Sequence, residues 1–344
     1  MKKLFRLQTK SFEPDTDMKL MTDLQIKGPE TTIAYPDPLM LVGSCFTEHI
    51  GGRLADLKFK VLQNPHGILF DPISVCNSLT SYIDHTAYEK KSLIFYNELW
   101  QSWAHHSRCS GIHQEEVLER MNAAQLTAHN FLQSAKWLVI TLGSSYSYRL
   151  AETGMPVANC HRAPAPWFNK HLCAIDETVA ALDNMLYRLF KFNPGIRVIF
   201  TVSPVRHVRD GVVENNRSKA RLLESVHHLV GKFDRLYYFP AYELVIDVLR
   251  DYRFYDIDLV HPNYQATEFV LEKFNEFFIH PDAHPVMEQV QQIYLARKHK
   301  AFQPETSAHR AFLESSAAKV KALQLKYPYL DLAEESDYFT RALQ

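Results

Sequence analysis

The 344-residue sequence holds no C-x-x-C pair, no H-E-x-x-H or other metal-ligand spacing and no excess of either charge. Its five cysteines, Cys45, Cys76, Cys109, Cys160 and Cys173, are odd in number and scattered. That argues against a disulfide framework or a metal site and fits reduced thiols in a cytoplasmic protein. Lysine and arginine number 38 against 39 acidic residues, so there is no basic footprint for a nucleic acid or a membrane surface. No stretch approaches the ~20 uninterrupted apolar residues of a membrane span. At the N-terminus Arg6, Gln8, Lys10 and Glu13 break up the apolar residues before a signal-peptide core can form, so no export is expected. Internal repeats and low-complexity segments are also lacking. What remains is ordinary globular composition, 46% hydrophobic and 22% charged, on a chain long enough for one large domain and an extension.

Residues 1–38 carry Pro14, Pro29, Pro36 and Pro38 among polar residues and read as an irregular arm. Residues 39–280 alternate short apolar runs with helical patterns. Strands are predicted near 39–43, 59–62, 137–143, 197–202 and 236–240, and helices near 73–83, 114–135, 174–192, 216–232 and 264–278. The stretch 88–113 fits neither pattern, and the residues from 144 through Pro166 read as loop. This alternation predicts an α/β fold with a mostly parallel sheet. Residues 281–344 form a helical extension: Val286, Val290 and Ile293 share one face, and Thr306 or Ser307 can cap a later helix that Pro328 stops. In such sheets functional groups gather at the C-terminal ends of the strands, here 43–46, 64–67, 143–146 and 203–207.

Two places carry the chemistry. The run Leu39-Met40-Leu41-Val42 stops at Gly43 and is followed by Ser44 and Cys45; Ile50, Leu54 and Leu57 then mark a helix. A nucleophile in such a turn has the unpaired N–H groups and partial positive charge of a helix N-terminus beside it, which suit a thiolate or an oxyanion. Far downstream, Asp258 and His261 stand three apart at the start of another helix. A carboxylate there can hold one imidazole nitrogen while the other faces a nucleophile, making His261 the general base and Asp258 its orienter.

The combination of Gly43-Ser44-Cys45-Phe46, Asn159-Cys160-His161, Ser203-Pro204-Val205-Arg206-His207, the run from Tyr238 to Glu243, the run from Arg250 to Tyr255, and Asp258-x-x-His261-Pro262 resembles the GSCFA family over residues from about 35 to 280. That family is similar to the SGNH or GDSL-type hydrolases. The resemblance implies a flavodoxin-like three-layer α/β/α sandwich over 39–280 with a nucleophile after the first strand and a C-terminal D-x-x-H pair. In strict register with G-D-S-L the nucleophile is Cys45; a shift of one residue gives Ser44. Those hydrolases also use a glycine and the asparagine of a G-x-N-D motif as oxyanion donors. Here that place reads Gly143-Ser144-Ser145-Tyr146, so Ser145, Asn64 or Asn159, with the N–H of Gly67, are the candidates. Losing one such donor typically costs ~10²–10³ in turnover.

Arg206, His66, His161 and His207 fall in rim loops and are candidate substrate contacts, the alternative for each histidine being an ordinary hydrogen-bonded structural role. The expected activity is hydrolysis of an ester, with a short acyl group such as acetyl on a hydroxylated or sugar-like substrate, through an acyl-enzyme and without metal or cofactor. Transfer of the same acyl group to an alcohol, or a catalytically weak binding protein that keeps the fold, are the alternatives.

Overall fold

In the computed structural model, which describes residues 21–343, strand β1 (Leu39–Gly43) is buried along its whole length. It leads directly into α1 (Cys45–Asp56), then β2 (Val61–Gln63) and α2 (Pro72–Asp84). Pro72 sits at the helix start, where its missing N–H costs nothing, and Asp71 caps that helix by accepting from the Ser74 N–H at 3.0 Å. A hairpin of β3 (Ile94–Tyr96) and β4 (Leu99–Gln101) precedes α3 (Gln114–Ser134) and β5 (Trp137–Leu142). Next come β6 (Tyr146–Leu150), β7 (Pro156–Val157), β8 (Phe168–Leu172), α4 (Ile175–Phe192), β9 (Arg197–Val202), α5 (Val212–Val230) and β10 (Leu236–Tyr238). The short α6 (Ala241–Glu243) runs into a π-helical stretch, Leu244–Leu249, before α7 (Tyr264–Phe278), α8 (His284–Lys298), α9 (Ser307–Lys326) and α10 (Ala333–Ala342).

Five strands form the central sheet in the order β10-β9-β5-β1-β2, every pair parallel. Numbered among themselves they run 2-1-3-4-5, the flavodoxin-like order, whose switch point lies between β1 and β5. Side chains alternate across the strands. Leu39, Leu41, Trp137, Val139 and Ile199 meet Phe46, Ile50 and Leu54 of α1 and Val270, Phe274 and Phe278 of α7. Met40, Val42, Leu138, Ile140, Phe200 and Val202 meet α2, α3, α4 and α5 through residues such as Leu79, Leu132, Leu186 and Leu222. This is the expected α/β/α sandwich.

The C-terminal helices extend the first of these cores: Val286, Val290 and Ile293 of α8, Leu313, Val320 and Leu323 of α9, and Phe339 of α10 join the same cluster. Thr306 caps α9, accepting from the His309 N–H. Buried Glu335 ties α10 to Lys58 at 2.9 Å and to Arg297 at 3.0 Å. Lys58 follows the C-terminus of α1, about 18 Å by helix rise from the turn at Cys45.

Two stretches differ from expectation. The loop predicted from 144 through Pro166 carries β6 and β7, which form with β8 an antiparallel sheet of order β7-β6-β8. Its strands, YSYRL and FNKHL, are polar and half-exposed, so the apolar signal that marks a core strand is weak. The unassigned stretch 88–113 contains the β3–β4 hairpin, turned by Asn97 and Glu98 at φ 51° and 63°, the positive values that a tight two-residue hairpin turn requires. Helix α5 also begins at Val212, ahead of the predicted 216. Of the expected arm, residues 1–20 lie outside the described residues; 21–38 are irregular apart from a bridge from Ile33 to Ile279. Among the described residues no helix is long and apolar enough to cross a membrane.

Candidate active site

The turn after β1 is possible only with glycine. Gly43 has φ 141°, and a Cβ there would lie 2.2 Å from the carbonyl oxygen of Thr141 on β5. Its N–H donates to Asn64 Oδ1 at 2.9 Å, and the Ser44 N–H donates to Thr141 O at 3.0 Å, so the turn is sewn to both neighbouring strands. Ser44 is the N-cap of α1, yet its hydroxyl makes no capping bond; the residue is 2% exposed and its Oγ is buried without a partner. Cys45 opens the helix and is half-buried. Burial pushes its thiol up and the charge of Glu48 adds to that, while the Phe46 and Cys45 N–H groups and the charge of Lys219 pull it down.

The neighbouring rim loops close on this turn. A Cβ on Gly143 would lie 2.9 Å from Phe70 Cβ, 3.2 Å from His207 Nε2 and 3.3 Å from Ser44 Cβ, so the backbone after β5 fits only as glycine. His207 Nε2 is buried and unpartnered. Burial first, then the charges of Lys219 and His261, hold that imidazole down to about 4, so it is neutral at pH 7.

What orders these loops is a polar face on α5 that sequence reading missed. Asn215 Oδ1 accepts from the His207 N–H at 2.8 Å, and Ser218 Oγ accepts from the Ser145 N–H at 2.8 Å. Lys219 Nζ donates to Gly143 O at 2.6 Å and Ser203 O at 2.5 Å. These residues fall at i, i+3 and i+4, and the apolar stripe of Leu222, Val226 and Leu229 continues through them. Polar residues on a stripe that should be apolar were the available signal.

The Asp258–His261 pair stands on a turn with Leu259 at φ 58°, closed by the Asp256 N–H on His261 O at 2.8 Å. Asp258 Oδ1 accepts from the N–H groups of His261 at 3.0 Å and Val260 at 2.9 Å, and Oδ2 contacts His261 Nδ1 at 2.6 Å. The His261 N–H, then its ring, then the Val260 N–H hold the carboxyl down to about 2. Both side chains are nearly half-exposed, 46% and 47%. Arg206 anchors this turn to the rim: its N–H donates to Val260 O at 3.2 Å, and its guanidinium reaches Leu259 O and stacks over Tyr255 at 4.2 Å and Tyr252 at 5.2 Å.

The GSCFA family profile matches residues 38–274, and the profile of the GSCFA domain protein C-terminal domain matches 290–344. The chain belongs to the GSCFA family. No curated protein matches it.

In this GSCFA chain the remaining candidates are held within the fold. Ser145 Oγ donates to Ser218 O at 3.1 Å, and the Gly67 N–H donates to Asn64 O at 2.7 Å. Asn64 uses Oδ1 on Gly43 and Nδ2 on Glu48; Asn159 Oδ1 accepts from the His161 N–H and Ser107 Oγ. His66 bonds Gln125 at 2.9 Å and Ser78 at 3.1 Å, and burial pushes it down to about 4. His161 bonds Ser102 O at 2.8 Å and Ser107 Oγ at 2.9 Å. Away from the rim, ligand atoms of His171, Cys173 and Glu177 lie within 4.8 Å of one another. Glu177 is engaged by the Ala174 N–H at 2.7 Å and by His171 at 2.8 Å, and the Cys173 thiol reaches Ser147 Oγ, so the start of α4 accounts for all three.

Proposed function

We propose that this GSCFA protein is an SGNH-like acyl-transfer enzyme of the thiol type, hydrolysing a short acyl ester of a hydroxylated or sugar-like alcohol. The observation that carries the reading is the Asp258–His261 bond of 2.6 Å on a turn docked to Arg206 in the loop after β9, the same loop whose His207 ring lies against Gly143 next to the Ser44–Cys45 turn. Cys45 is favoured over Ser44 because Ser44 Oγ is sealed from solvent.

In this mechanism Cys45 Sγ attacks the ester carbonyl carbon as its proton passes to His261 Nε2, Asp258 holding Nδ1 and stabilising the imidazolium. The carbonyl π electrons move to oxygen, and the oxyanion meets the free N–H groups of the first turn of α1. Collapse breaks the C–O bond, and the alkoxide leaves with the proton from His261. Water, deprotonated by His261, then attacks the thioester and releases the acid and the thiolate. An alcohol in place of water gives the transferase reaction from the same intermediate. Exposed Tyr252, Ile257 and Leu259 around the pair offer an apolar edge to the alcohol portion.

The test is peptide mapping by mass spectrometry after brief exposure to p-nitrophenyl acetate. The expected result is an acetyl group on Cys45 that is lost in Cys45→Ala and strongly reduced in His261→Ala. An adduct on Ser44 reassigns the nucleophile. No adduct together with no turnover overturns the enzyme reading in favour of a binding protein.

A further inference from the structure

Helix α1 begins at Cys45 and α7 begins three residues after His261, and a cleft of about 280 Å³ opens between these two helices. Its α1 wall is Glu48, His49, Gly52, Arg53 and Asp56, one stripe at helical spacing that continues from Cys45 at i+3 and i+4. Its α7 wall is Tyr264, Thr267 and Glu268, again a single helix face. Arg53 and Glu268 join the walls: Arg53 Nε lies 2.9 Å from Glu268 Oε1, and Nη2 donates to Oε2 at 2.9 Å. Gly52 keeps the cleft open. On neighbouring Gly51 a Cβ would lie 2.3 Å from Gln63 Oε1, whereas a Cβ on Gly52 would meet nothing within 4 Å. Glycine inside a helix weakens it, and no packed neighbour explains this one. Its effect on the structure is empty space in the cleft wall.

We propose that this cleft binds one neutral sugar ring, the hydroxylated part of the ester's alcohol, with Gly52 giving it room and Tyr264 a surface to lie on. This deepens the acyl-ester reading above and rests on it for the ring's place in the reaction. A pyranose presents a rim of hydroxyls, each both donor and acceptor, and a face of C–H groups. The Tyr264 side chain, on a residue 70% exposed, offers an aromatic surface to that C–H face. The charges on the walls are mostly paired: Glu48 Oε2 accepts from Arg108 Nη2 at 2.9 Å, as Glu268 does from Arg53. Such pairs set guanidinium donors beside carboxylate acceptors, which suits hydroxyls, whereas an ionic ligand has to compete with the partner already in place. Asp56 adds acceptors, since Arg53 Nη1 lies 3.8 Å from its Oδ2, too far for a hydrogen bond. The volume falls just below the ~300–1,000 Å³ of ordinary small-ligand sites, which fits a single ring and not an oligosaccharide.

The experiment is saturation-transfer difference NMR on the full chain with methyl glucoside, methyl galactoside and methyl mannoside, which needs no ester turnover. The expected result is transfer to at least one of the three, with affinity lowered about tenfold or more in two variants. Gly52→Leu fills the cleft and puts a better helix former in α1; Tyr264→Ala removes an exposed ring. In kinetics, the same variants should lower kcat/KM for the bound glycoside carrying one acetyl ester, relative to kcat/KM for p-nitrophenyl acetate, by about tenfold or more, chiefly through KM. A merely structural defect lowers both rates together and leaves that ratio as it is. Transfer to none of the three glycosides overturns the proposal, and so does transfer at wild-type strength in both folded variants. Should Gly52→Leu not fold, Tyr264→Ala and Asp56→Asn decide by the same measure. Sugar binding without turnover of p-nitrophenyl acetate leaves the cleft a sugar site and removes the proposed function; turnover without sugar binding does the reverse.

Discussion

The two halves of the candidate site are built in opposite ways. Around Gly43 and Ser44 the turn is packed: Ser44 Oγ and His207 Nε2 are buried without partners, and buried Lys219 donates to the Gly143 carbonyl. Across the rim, Asp258 and His261 are nearly half-exposed, and their geometry comes from a single turn in which one carboxylate accepts two backbone N–H groups and a ring nitrogen. The two halves should therefore respond differently to substitution. On the buried side a change of charge is felt in stability and ionisation; on the exposed side it is felt in chemistry with the fold intact.

The largest expected effect tests which atom of the buried half reacts. Cys45→Ala should lower p-nitrophenyl acetate turnover by ~10³–10⁴, whereas Ser44→Ala should change it by less than about tenfold, because the serine hydroxyl makes no bond that the fold needs. Steady-state rates of the two variants decide this, and the reverse ranking would move the nucleophile to Ser44. Next comes the exposed half: Asp258→Asn should cost ~10²–10⁴ in kcat with an unchanged melting temperature. Because that carboxyl is held down to about 2, the wild-type pH–rate profile should show no inflection from it in the usual carboxylate range.

Asp71 sharpens the contrast from the buried side. It caps α2 next to Phe70, whose carbonyl accepts from the Gly143 N–H at 2.8 Å, and burial pushes its carboxyl up to about 6. A carboxyl raised in the folded state binds its proton more tightly than the unfolded chain does. Its contribution is therefore present below the ordinary value of 3.8 and lost as pH rises through 6. Denaturant titrations at pH 4 and pH 7 should show Asp71→Asn, which can still cap, spared a loss of ~2–3 kcal/mol that the wild type suffers. The smallest effect is expected at Arg206. Its stacking over Tyr255 and Tyr252 is worth ~1 kcal/mol, so Arg206→Ala should lower the melting temperature slightly and loosen the His261 turn, raising KM more than it lowers kcat.

Legibility in the sequence follows the same division. The three central strands β1, β5 and β9 were readable because both faces of the sheet are buried there, which leaves unbroken apolar runs such as Trp137–Leu142. The three-residue spacing of Asp258 and His261 was readable because one turn makes their contact. The strands from Tyr146 to Leu172 were not, since half-exposed antiparallel strands carry polar residues on most positions. The polar face of α5 was hidden for another reason. Asn215, Ser218 and Lys219 look like the solvated side of a helix until the rim loops are placed against them.

From sequence alone come the alternation of strands and helices, the glycine-stopped turn before Ser44 and Cys45, and the local Asp–His pair. Each depends on periodicity or on contacts a few residues apart. Tertiary structure alone decided that Lys219 reaches Gly143 across 76 positions and Ser203 across 16, that His207 is buried with a free nitrogen, and that the Ser44 hydroxyl is sealed while Cys45 is only half-buried. Those properties belong to the packing of loops from different strands against one helix, where burial sets charge and access, and no local pattern encodes burial.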